Sequence, residues 1–362
     1  MAAGGIRRDP FGEAGGRPVE RWTLDNGDGL RIAVLSLGAV LHAVEVPDRA
    51  GNSASVVLAF PDAAGYLQTP SPYFGVVAGR YANRIGGAGF ELDGRAVRLD
   101  PNEGSNHLHG GATGFDKRHW RAEDASDGDG AALRLHLDSP DGEMGYPGNL
   151  AVSVSYALRP NRTLEVSYRA ETDAPTIVNL TQHAYWNLAG EGCGDVLGHR
   201  LRVRASRYTP VGPGSIPTGE LAPVEGTPFD FREPRAIGER IREDHPQLVI
   251  ARGYDHNLVF DRPEPDDGAL LPLVRVEEPV SGRTLEVATT EPGVQFYSGN
   301  FLDGSVVGVG NRAYRQGDGF CLETQHFPDS PNNPHFPSTV LRPSETYESR
   351  TTFAFGTGAD PA

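Results

Sequence analysis

Glu323 lies in the middle of a mostly apolar run, where a carboxylate is unusual. The run, residues 319–325 (GFCLETQ), alternates with a period of two, so Cys321, Glu323 and Gln325 should share one face of a strand. The segment that follows, FPDSPNNP, is rich in Pro and Asn and predicts an irregular loop. A carboxylate in apolar surroundings must be paired, hydrogen-bonded or shifted to a higher pKa, and a raised pKa suits a general base. The alternative is a glutamate on the solvent-exposed face of a half-buried strand.

A second polar set occurs in residues 176–190, TIVNLTQHAYWNLAG. Read as one strand, this stretch places Asn179, Thr181, His183 and Tyr185 on one face, together with Ile177. Such a face is costly to bury unless its side chains form a network or bind a polar ligand. His183 is the candidate proton donor, because histidine titrates near neutral pH. The alternative is a core histidine whose hydrogen bonds are satisfied internally.

Two histidines stand two residues apart in residues 106–111, NHLHGG. That spacing would place His107 and His109 on the same side of a strand, and it could serve a metal ion. Gly and small residues follow where a carboxylate ligand would be expected, so we disfavour metal binding. The better functional interpretation is His109 presented to a ligand by a Gly-rich loop, where the backbone can approach closely.

Four more polar residues follow or interrupt apolar runs. Asn83 and Arg84 occur in GRYANRI, Asp255 in GYDHN and Gln295 in EPGVQFYSGN. Taken singly, each has an ordinary structural explanation, such as an arginine at a strand end or an aspartate that caps a turn.

Together these residues supply the carboxylates, amides and aromatic rings that bind neutral polyols. The chain has no phosphate-binding glycine motif and no GxSxG sequence. The inventory indicates a sugar site that works by acid–base chemistry, and we expect no cofactor and no metal.

The elements that must position these residues are short β-rich runs, such as LAVSVSYAL and TLEVSYRAE, separated by turn signals over most of the 362 residues. Strands at this spacing without helical periodicity predict an all-β antiparallel sandwich with few short helices. FELDGRAVRL predicts a hairpin that turns at Asp93-Gly94, and residues 234–244 are the one fair helix candidate. We expect a flexible tail over residues 1–17 and a single domain over residues 18–357.

Charge and cysteine content limit the partners. The net charge of −15, without a clustered basic patch, argues against nucleic acid and anionic membranes and favours a neutral small molecule. Two distant cysteines, Cys193 and Cys321, and the lack of a signal-like or membrane-spanning apolar run predict a cytoplasmic protein. The oligomeric state, monomer or homodimer, stays open.

The motifs, taken in order, resemble those of the aldose 1-epimerases, also called galactose mutarotases. The resemblance extends from about Val19 to Phe355 and includes GRYANRI, NHLHGG, GFDKRHW, DGEMGYPGNL, NLTQHAYWNLAG, PTGELAPVEGTPFDF, GYDHN, EPGVQFYSGNFLDG and GFCLETQHFPDSPNNP. It implies a large antiparallel β-sandwich that interconverts the α and β anomers of free aldoses such as galactose and glucose.

The resemblance also implies the role of each site residue. Glu323 would be the general base and His183 the general acid, and the sugar would be bound by the remaining candidates: Asn83, Arg84, His109, Tyr185, Asp255 and Gln295. The family's common Asn-His-Ser-Tyr-Phe-Asn reads QHAYWN here, which keeps the His and the Tyr. Cys321 receives no role.

Two rival functions remain to be separated from this one. The first is a glycoside hydrolase that uses Asp255 and Glu323 as its carboxylate pair. The second is a non-catalytic sugar-binding module on the same fold. If the chain is an epimerase, Glu323 and His183 must flank one pocket about as wide as a sugar ring.

Overall fold

The computed structural model describes residues 5–264, 266 and 268–358, and this part of the chain is built almost entirely from strands. The strands, in chain order, are β1 (Gly5–Ala14), β2 (Arg17–Asp25), β3 (Arg31–Leu35), β4 (Leu41–Pro47), β5 (Ser53–Ser55), β6 (Val77–Ala78), β7 (Arg84–Ile85), β8 (Gly89–Leu92), β9 (Arg95–Arg98), β10 (His107–Leu108), β11 (Arg121–Asp124), β12 (Ala132–Ser139), β13 (Leu150–Arg159), β14 (Thr163–Thr172), β15 (Thr176–Ile177), β16 (Thr181–Gln182), β17 (Tyr185–Trp186), β18 (Arg200–Val203), β19 (Ala205–Tyr208), β20 (Ala222–Pro223), β21 (Arg235–Ala236), β22 (Asp255–Phe260), β23 (Leu271–Glu277), β24 (Arg283–Thr289), β25 (Gly293–Tyr297), β26 (Asp303–Val307), β27 (Ala313–Arg315), β28 (Phe320–Gln325), β29 (Val340–Leu341) and β30 (Tyr347–Thr357).

Helices are few and short. Among the described residues the one α-helix is α1 (Pro246–Ala251), and the 3-10 turns are Ala64–Leu67, Gly86–Ala88, Phe115–Lys117, Glu143–Gly145, Pro213–Ser215, Ile237–Glu239 and Ser330–Asn332. None of these helices is long and apolar enough to cross a membrane.

Three antiparallel sheets carry the fold. The largest has nine strands in the order β11-β12-β13-β14-β30-β24-β23-β18-β21, and the second has six in the order β17-β28-β25-β22-β19-β20. The third is the five-stranded sheet β1-β2-β3-β4-β5. The prediction of an all-β antiparallel sandwich is therefore confirmed.

The main core forms where the sheets face one another. Strands β13 and β14 alternate buried and more exposed residues, so each contributes one apolar face, as the period of two requires. Trp186 of β17 packs against Phe353 and Phe355 of β30, with ring centroids 5.2 and 5.8 Å apart. The six-stranded sheet, which carries Glu323, is thus anchored on the nine-stranded sheet.

The hairpin prediction is confirmed. Strands β8 and β9 pair in register from Gly89↔Arg98 to Leu92↔Arg95. Asp93 and Gly94 both have positive φ, 51° and 74°, as a two-residue turn of this type requires.

Three expectations about local structure are wrong. Residues 234–244 contain only β21 and a 3-10 turn, and α1 begins later, at Pro246, where a proline suits the first helical turn. The stretch 176–190 is three two-residue strands rather than one, because each pairs with a different partner. The expected loose tail is, over Gly5–Ala14, strand β1 paired with β2; residues 1–4 lie outside the described part of the chain. The polar sequence of residues 5–14 did not indicate a strand, because β1 is an edge strand held to β2 by backbone hydrogen bonds.

Candidate functional site

The register of the six-stranded sheet explains why Glu323 and Cys321 share a face with aromatic and amide side chains. Residues directly opposite each other on neighbouring strands point to the same side of a sheet. Glu323 of β28 lies opposite Gln295 of β25, and Cys321 lies opposite both Tyr297 of β25 and Tyr185 of β17. All residues of β28 are buried, so the alternative of a solvent-exposed Glu323 does not hold.

His183 lies in the short segment between β16 and β17 and is held at both backbone groups. Its N–H donates to the Val76 carbonyl and its carbonyl accepts from the Gly75 N–H, each at 2.9 Å. The imidazole stacks on the Tyr185 ring with centroids 5.3 Å apart and an angle of 27°. Its Nε2 lies 3.7 Å from Oε1 of Glu323. The two residues therefore meet, as the resemblance requires, although they are 140 residues apart in the chain.

Glu323 and His183 line one cavity of about 570 Å³, within the range of roughly 300–1,000 Å³ typical of small-molecule sites. Of the sugar-binding candidates, the cavity wall contains Asn83, Arg84, His109, Tyr185 and Asp255. Gln295 is not part of the wall, and its predicted contact with a sugar remains a prediction.

Gln295 instead holds Asp255. Its Nε2 donates to Oδ1 of Asp255 at 2.7 Å, and the two residues sit on adjacent strands. The same aspartate faces Arg84, whose Nη1 lies 3.7 Å from Oδ2. The Asp255 carboxylate is therefore fixed at the wall, and its position does not fit the role of a turn cap.

Arg84 is fixed by a second carboxylate. Its Nε and Nη2 donate to Oε2 and Oε1 of Glu103 at 2.6 and 2.8 Å, which is a bidentate pair. Nη1 is left on the side of Asp255 and the cavity. A guanidinium held by a bidentate pair presents its remaining N–H groups in a fixed direction.

Three wall residues have a left-handed backbone: Tyr73, Asn83 and His109, with φ of 60°, 64° and 48°. Such conformations cost free energy and cluster at functional sites. Asn83 and His109 also bind each other, because the Asn83 N–H donates to Nδ1 of His109 at 3.2 Å and the His109 N–H donates to the Asn83 carbonyl at 3.1 Å. Nδ1 of His109 is thus an acceptor, and the ring's own N–H must be at Nε2.

His107 does not reach the cavity wall. Its Nδ1 lies 2.7 Å from the Asp100 carbonyl oxygen and its Nε2 lies 2.7 Å from the hydroxyl of Tyr146. The expectation that His107 and His109 would face the same side is wrong, since β10 ends at Leu108 and the backbone turns at His109.

The electrostatics of the wall shift the pKa values of His183 and Glu323 in opposite directions. Burial, followed by the negative charge of Asp255, raises the pKa of Glu323 well above its usual value, and Arg84 opposes this. Burial lowers the pKa of His183 to about 4 and lowers that of His109 well below its usual value. The pKa of Asp255 is also raised, first by burial. Shifts of this kind at a cavity wall are typical of groups that transfer protons.

The potential metal ligands of the wall are His109, His183 and Glu323, whose donor atoms all lie within 4.8 Å of one another. A tetrahedral zinc ion with bonds of about 2.0–2.2 Å needs its ligand atoms roughly 3.5 Å apart. The three side chains would have to draw together to hold such an ion. In the arrangement observed, His183 and Glu323 form a close polar pair with His109 beside it.

Several wall residues escaped the sequence analysis. Tyr73 packs on both His109 and His183, with ring centroids 4.6 and 5.8 Å apart, and Phe301 is a half-exposed aromatic residue at the cavity. Glu103 is the partner of Arg84. Glu103 and Tyr73 lie in loops with no periodic signal. Phe301 lies within the motif EPGVQFYSGNFLDG, and membership of that motif is the one sequence signal that could have identified it.

The fold and the cavity define a class: an antiparallel β-sandwich enzyme that binds a small, polar, neutral molecule and moves protons on it. Comparison with known proteins narrows this class. The model of the family "Aldose 1-epimerase" matches residues 20–354. The chain belongs to the aldose 1-epimerase family, and it is an enzyme that isomerises a carbohydrate.

Relatives match over nearly the whole length. A galactose mutarotase of Pongo abelii is 45% identical over 350 residues, 96% of this chain and 98% of that protein. An aldose 1-epimerase of Escherichia coli K12 is 37% identical over 342 residues, 94% of this chain and 96% of that protein. The solved structure of a galactose 1-epimerase from Lactobacillus acidophilus covers 98% of this chain and 99% of its own, with a TM-score of 0.86 and 26% identity.

Proposed function

We propose that this enzyme interconverts the α and β anomers of free D-galactose and D-glucose, with Glu323 as the general base and His183 as the general acid. The observation that carries the proposal is the buried pair itself, with Nε2 of His183 at 3.7 Å from Oε1 of Glu323 in the wall of a sugar-sized cavity. The names of its relatives support galactose and related aldoses as substrates.

Anomer exchange needs one proton removed and one delivered. Glu323 takes the proton from the hydroxyl on the anomeric carbon while His183 gives its Nε2 proton to the ring oxygen, and the C1–ring oxygen bond breaks. The open-chain aldehyde turns about its C1–C2 bond. The ring oxygen then returns its proton to His183 and attacks the other face of the carbonyl, whose oxygen takes back the proton of Glu323.

The shifted pKa values fit this cycle. The working pair carries one shared proton, and burial favours the form with neutral His183 and protonated Glu323, because it lowers the pKa of the first and raises that of the second. Ring opening starts from the other form, imidazolium and carboxylate, and ends in the form that burial favours. Arg84, Asp255 and His109 support this step by binding hydroxyl oxygens and the charge that develops on them.

The cycle predicts a bell-shaped pH profile. Activity should fall at low pH, where both groups carry a proton, and the pKa of His183 places that limb near pH 4. Activity should also fall at high pH, where the pair has lost its shared proton. Because the pKa of Glu323 is raised, that limb lies well above the usual titration range of a glutamate. The limbs belong to the pair and not to one residue.

Glu323→Gln tests the assignment of the base. By polarimetry on freshly dissolved α-D-galactose, the variant should lose roughly 10²–10⁴-fold in rate while binding galactose nearly as well as the wild type. Glu286→Gln is the matched control, since Glu286 is an exposed strand glutamate on β24, away from the cavity. A Glu323→Gln enzyme with wild-type rate would refute the assignment.

The two rivals give different results in the same assay. A methyl galactoside has no hydroxyl proton at the anomeric carbon, so the enzyme should leave its optical rotation unchanged and release no reducing sugar. Release of galactose from the glycoside would support the hydrolase. Binding of galactose by the wild-type chain without acceleration of mutarotation would support the binding module.

We also propose that the protein works in a reducing compartment, the cytoplasm, as a monomer or a homodimer. Cys193 and Cys321 are both free thiols, and one of them is buried. Cell fractionation checks the compartment, and light scattering on the purified chain determines the oligomeric state.

A further inference from the structure

Cys321 contacts the imidazole of His183 at Nδ1, the ring nitrogen that does not face Glu323. Its sulfur lies 3.6 Å from Nδ1, while Nε2 of the same ring lies 3.7 Å from Glu323. Because Cys321 and Glu323 are two residues apart on β28, their side chains leave the same face of the strand. Strand β28 therefore places the Glu323 carboxylate near Nε2 of His183 and the Cys321 thiol near Nδ1.

The other ring nitrogen indicates where the neutral ring carries its proton. Nε2 of His183 faces Oε1 of Glu323 at 3.7 Å. In the form with neutral His183 and protonated Glu323, the carboxylic O–H is a donor beside Nε2, so Nε2 must be the accepting nitrogen and the ring N–H must be at Nδ1. The sulfur of Cys321 then lies beside an N–H group and accepts from it.

We propose that Cys321 is a positioning residue, whose sulfur accepts from the N–H at Nδ1 of His183, holds the proton there and leaves Nε2 free to exchange a proton with the sugar. The proposal rests on the proposed role of His183 as the acid. If the proton sat on Nε2 of the neutral ring, Nε2 would have no lone pair with which to take the proton back from the sugar at ring closure.

A thiol suits this position better than a charged acceptor. Burial raises the pKa of Cys321 well above its usual value, and the charges of Glu323 and Asp255 raise it further, so the thiol stays neutral. A neutral sulfur accepts weakly and does not stabilise the imidazolium strongly, so His183 remains a ready proton donor. A carboxylate in its place would hold the proton on the ring.

The neighbouring titratable groups do not compete for Nδ1. Tyr185 stacks on the face of the imidazole, and His109 and Tyr73 approach it through ring contacts. Among the described residues, Cys321 is the only one whose side chain lies at hydrogen-bonding distance from Nδ1.

The test is ¹⁵N NMR of the histidine rings in the whole protein, with His183 assigned by the loss of its signals in His183→Gln. The wild type should show the Nδ1–H tautomer near neutral pH. Cys321→Ala should shift His183 towards the Nε2–H tautomer and lower kcat roughly 2- to 10-fold with little change in KM, the worth of one net hydrogen bond. Cys321→Ser, with a hydroxyl acceptor, should restore the tautomer and most of kcat.

Cys193→Ala is the matched control, because Cys193 is an exposed thiol, and it should leave tautomer and kcat unchanged. An Nε2–H tautomer in the wild type would overturn the inference even if Cys321→Ala fails to fold, and so would a Cys321→Ala enzyme with the wild-type tautomer. Either result in an enzyme that still accelerates mutarotation refutes the role of Cys321 alone. A wild type without acceleration would refute the proposed function instead.

Discussion

His199 should make the folded protein less stable in mild acid. It is a buried histidine that is not part of the cavity wall, and its Nε2 accepts a hydrogen bond from the Leu188 N–H at 2.9 Å. An accepting nitrogen cannot carry a proton, so protonation of this ring would break that bond. Burial lowers its pKa from 6.5 to about 4, despite the opposing charges of Glu278 and Asp195.

The sign and size of the effect follow from these two pKa values. Below pH 6.5 the unfolded chain binds a proton at His199, whereas the folded chain does not until the pH approaches about 4. Stability is therefore lost as the pH falls through this window. Between about pH 7.5 and pH 5, the loss from this one residue amounts to about 2 kcal/mol, at roughly 1.4 kcal/mol per unit of pKa shift.

The perturbation is His199→Gln, which keeps an acceptor near Leu188 but cannot titrate. Urea unfolding of wild type and variant at the two pH values should show that the wild type loses about 2 kcal/mol more than the variant between them. Phe320→Leu is the control, since Phe320 packs on the His199 ring without being titratable. It should lower stability equally at both pH values. A variant whose pH dependence equals that of the wild type would show that His199 is not the cause.

Three further predictions concern the cavity and its support. Asp255→Asn removes the charge that raises the pKa of Glu323, so the high-pH limb of kcat/KM should move to lower pH; a limb that stays in place contradicts this coupling. Glu103→Gln breaks the bidentate pair that holds Arg84, so KM for galactose should rise more than kcat falls, as steady-state polarimetry would show. Gly110→Ala introduces a Cβ 1.8 Å from a backbone carbonyl oxygen at a φ of +88°, and urea unfolding should report a loss of at least ~2 kcal/mol from strain and overpacking.

The sequence predicted features that depend on local pattern. Alternation over residues 319–325 identified β28 and placed Cys321 with Glu323, and the Asp-Gly pair identified the turn of the β8–β9 hairpin. The family resemblance identified His183 as the partner of Glu323, since no local sequence pattern connects the two residues. The cavity wall then contained all the predicted site residues except Gln295.

Features that depend on distant pairing were beyond a local pattern. A period of two put Asn179 and Thr181 on the face of His183, but Asn179 donates to the carbonyls of Ala82 and His326, and Thr181 donates to that of Thr324. The side chains of Asn179 and Thr181 therefore donate hydrogen bonds to backbone carbonyls at the point where the chain passes from one sheet to another. The same limit explains why Glu103 was missed, because its partner Arg84 lies 19 residues earlier in the short strand β7 and the loop that carries Glu103 has no periodic pattern.

The spacing of the proposed acid and base fits anomer exchange. The anomeric hydroxyl oxygen and the ring oxygen are bonded to the same carbon, so the groups that serve them must be close together, and Nε2 of His183 lies 3.7 Å from Oε1 of Glu323. A hydrolase would instead need its two carboxyl groups, Asp255 and Glu323, on either side of the bond to be broken, about 5–5.5 Å apart for retention or about 6.5–9.5 Å apart for inversion. The two histidines of the wall differ in a way that fits the same conclusion. His109 accepts at Nδ1 and so presents an N–H that can bind a hydroxyl, whereas the proposed Nδ1–H form of His183 presents a nitrogen that can both give and take a proton. A site with one fixed donor and one exchanging group is suited to a reaction in which every proton transferred on ring opening returns on ring closure.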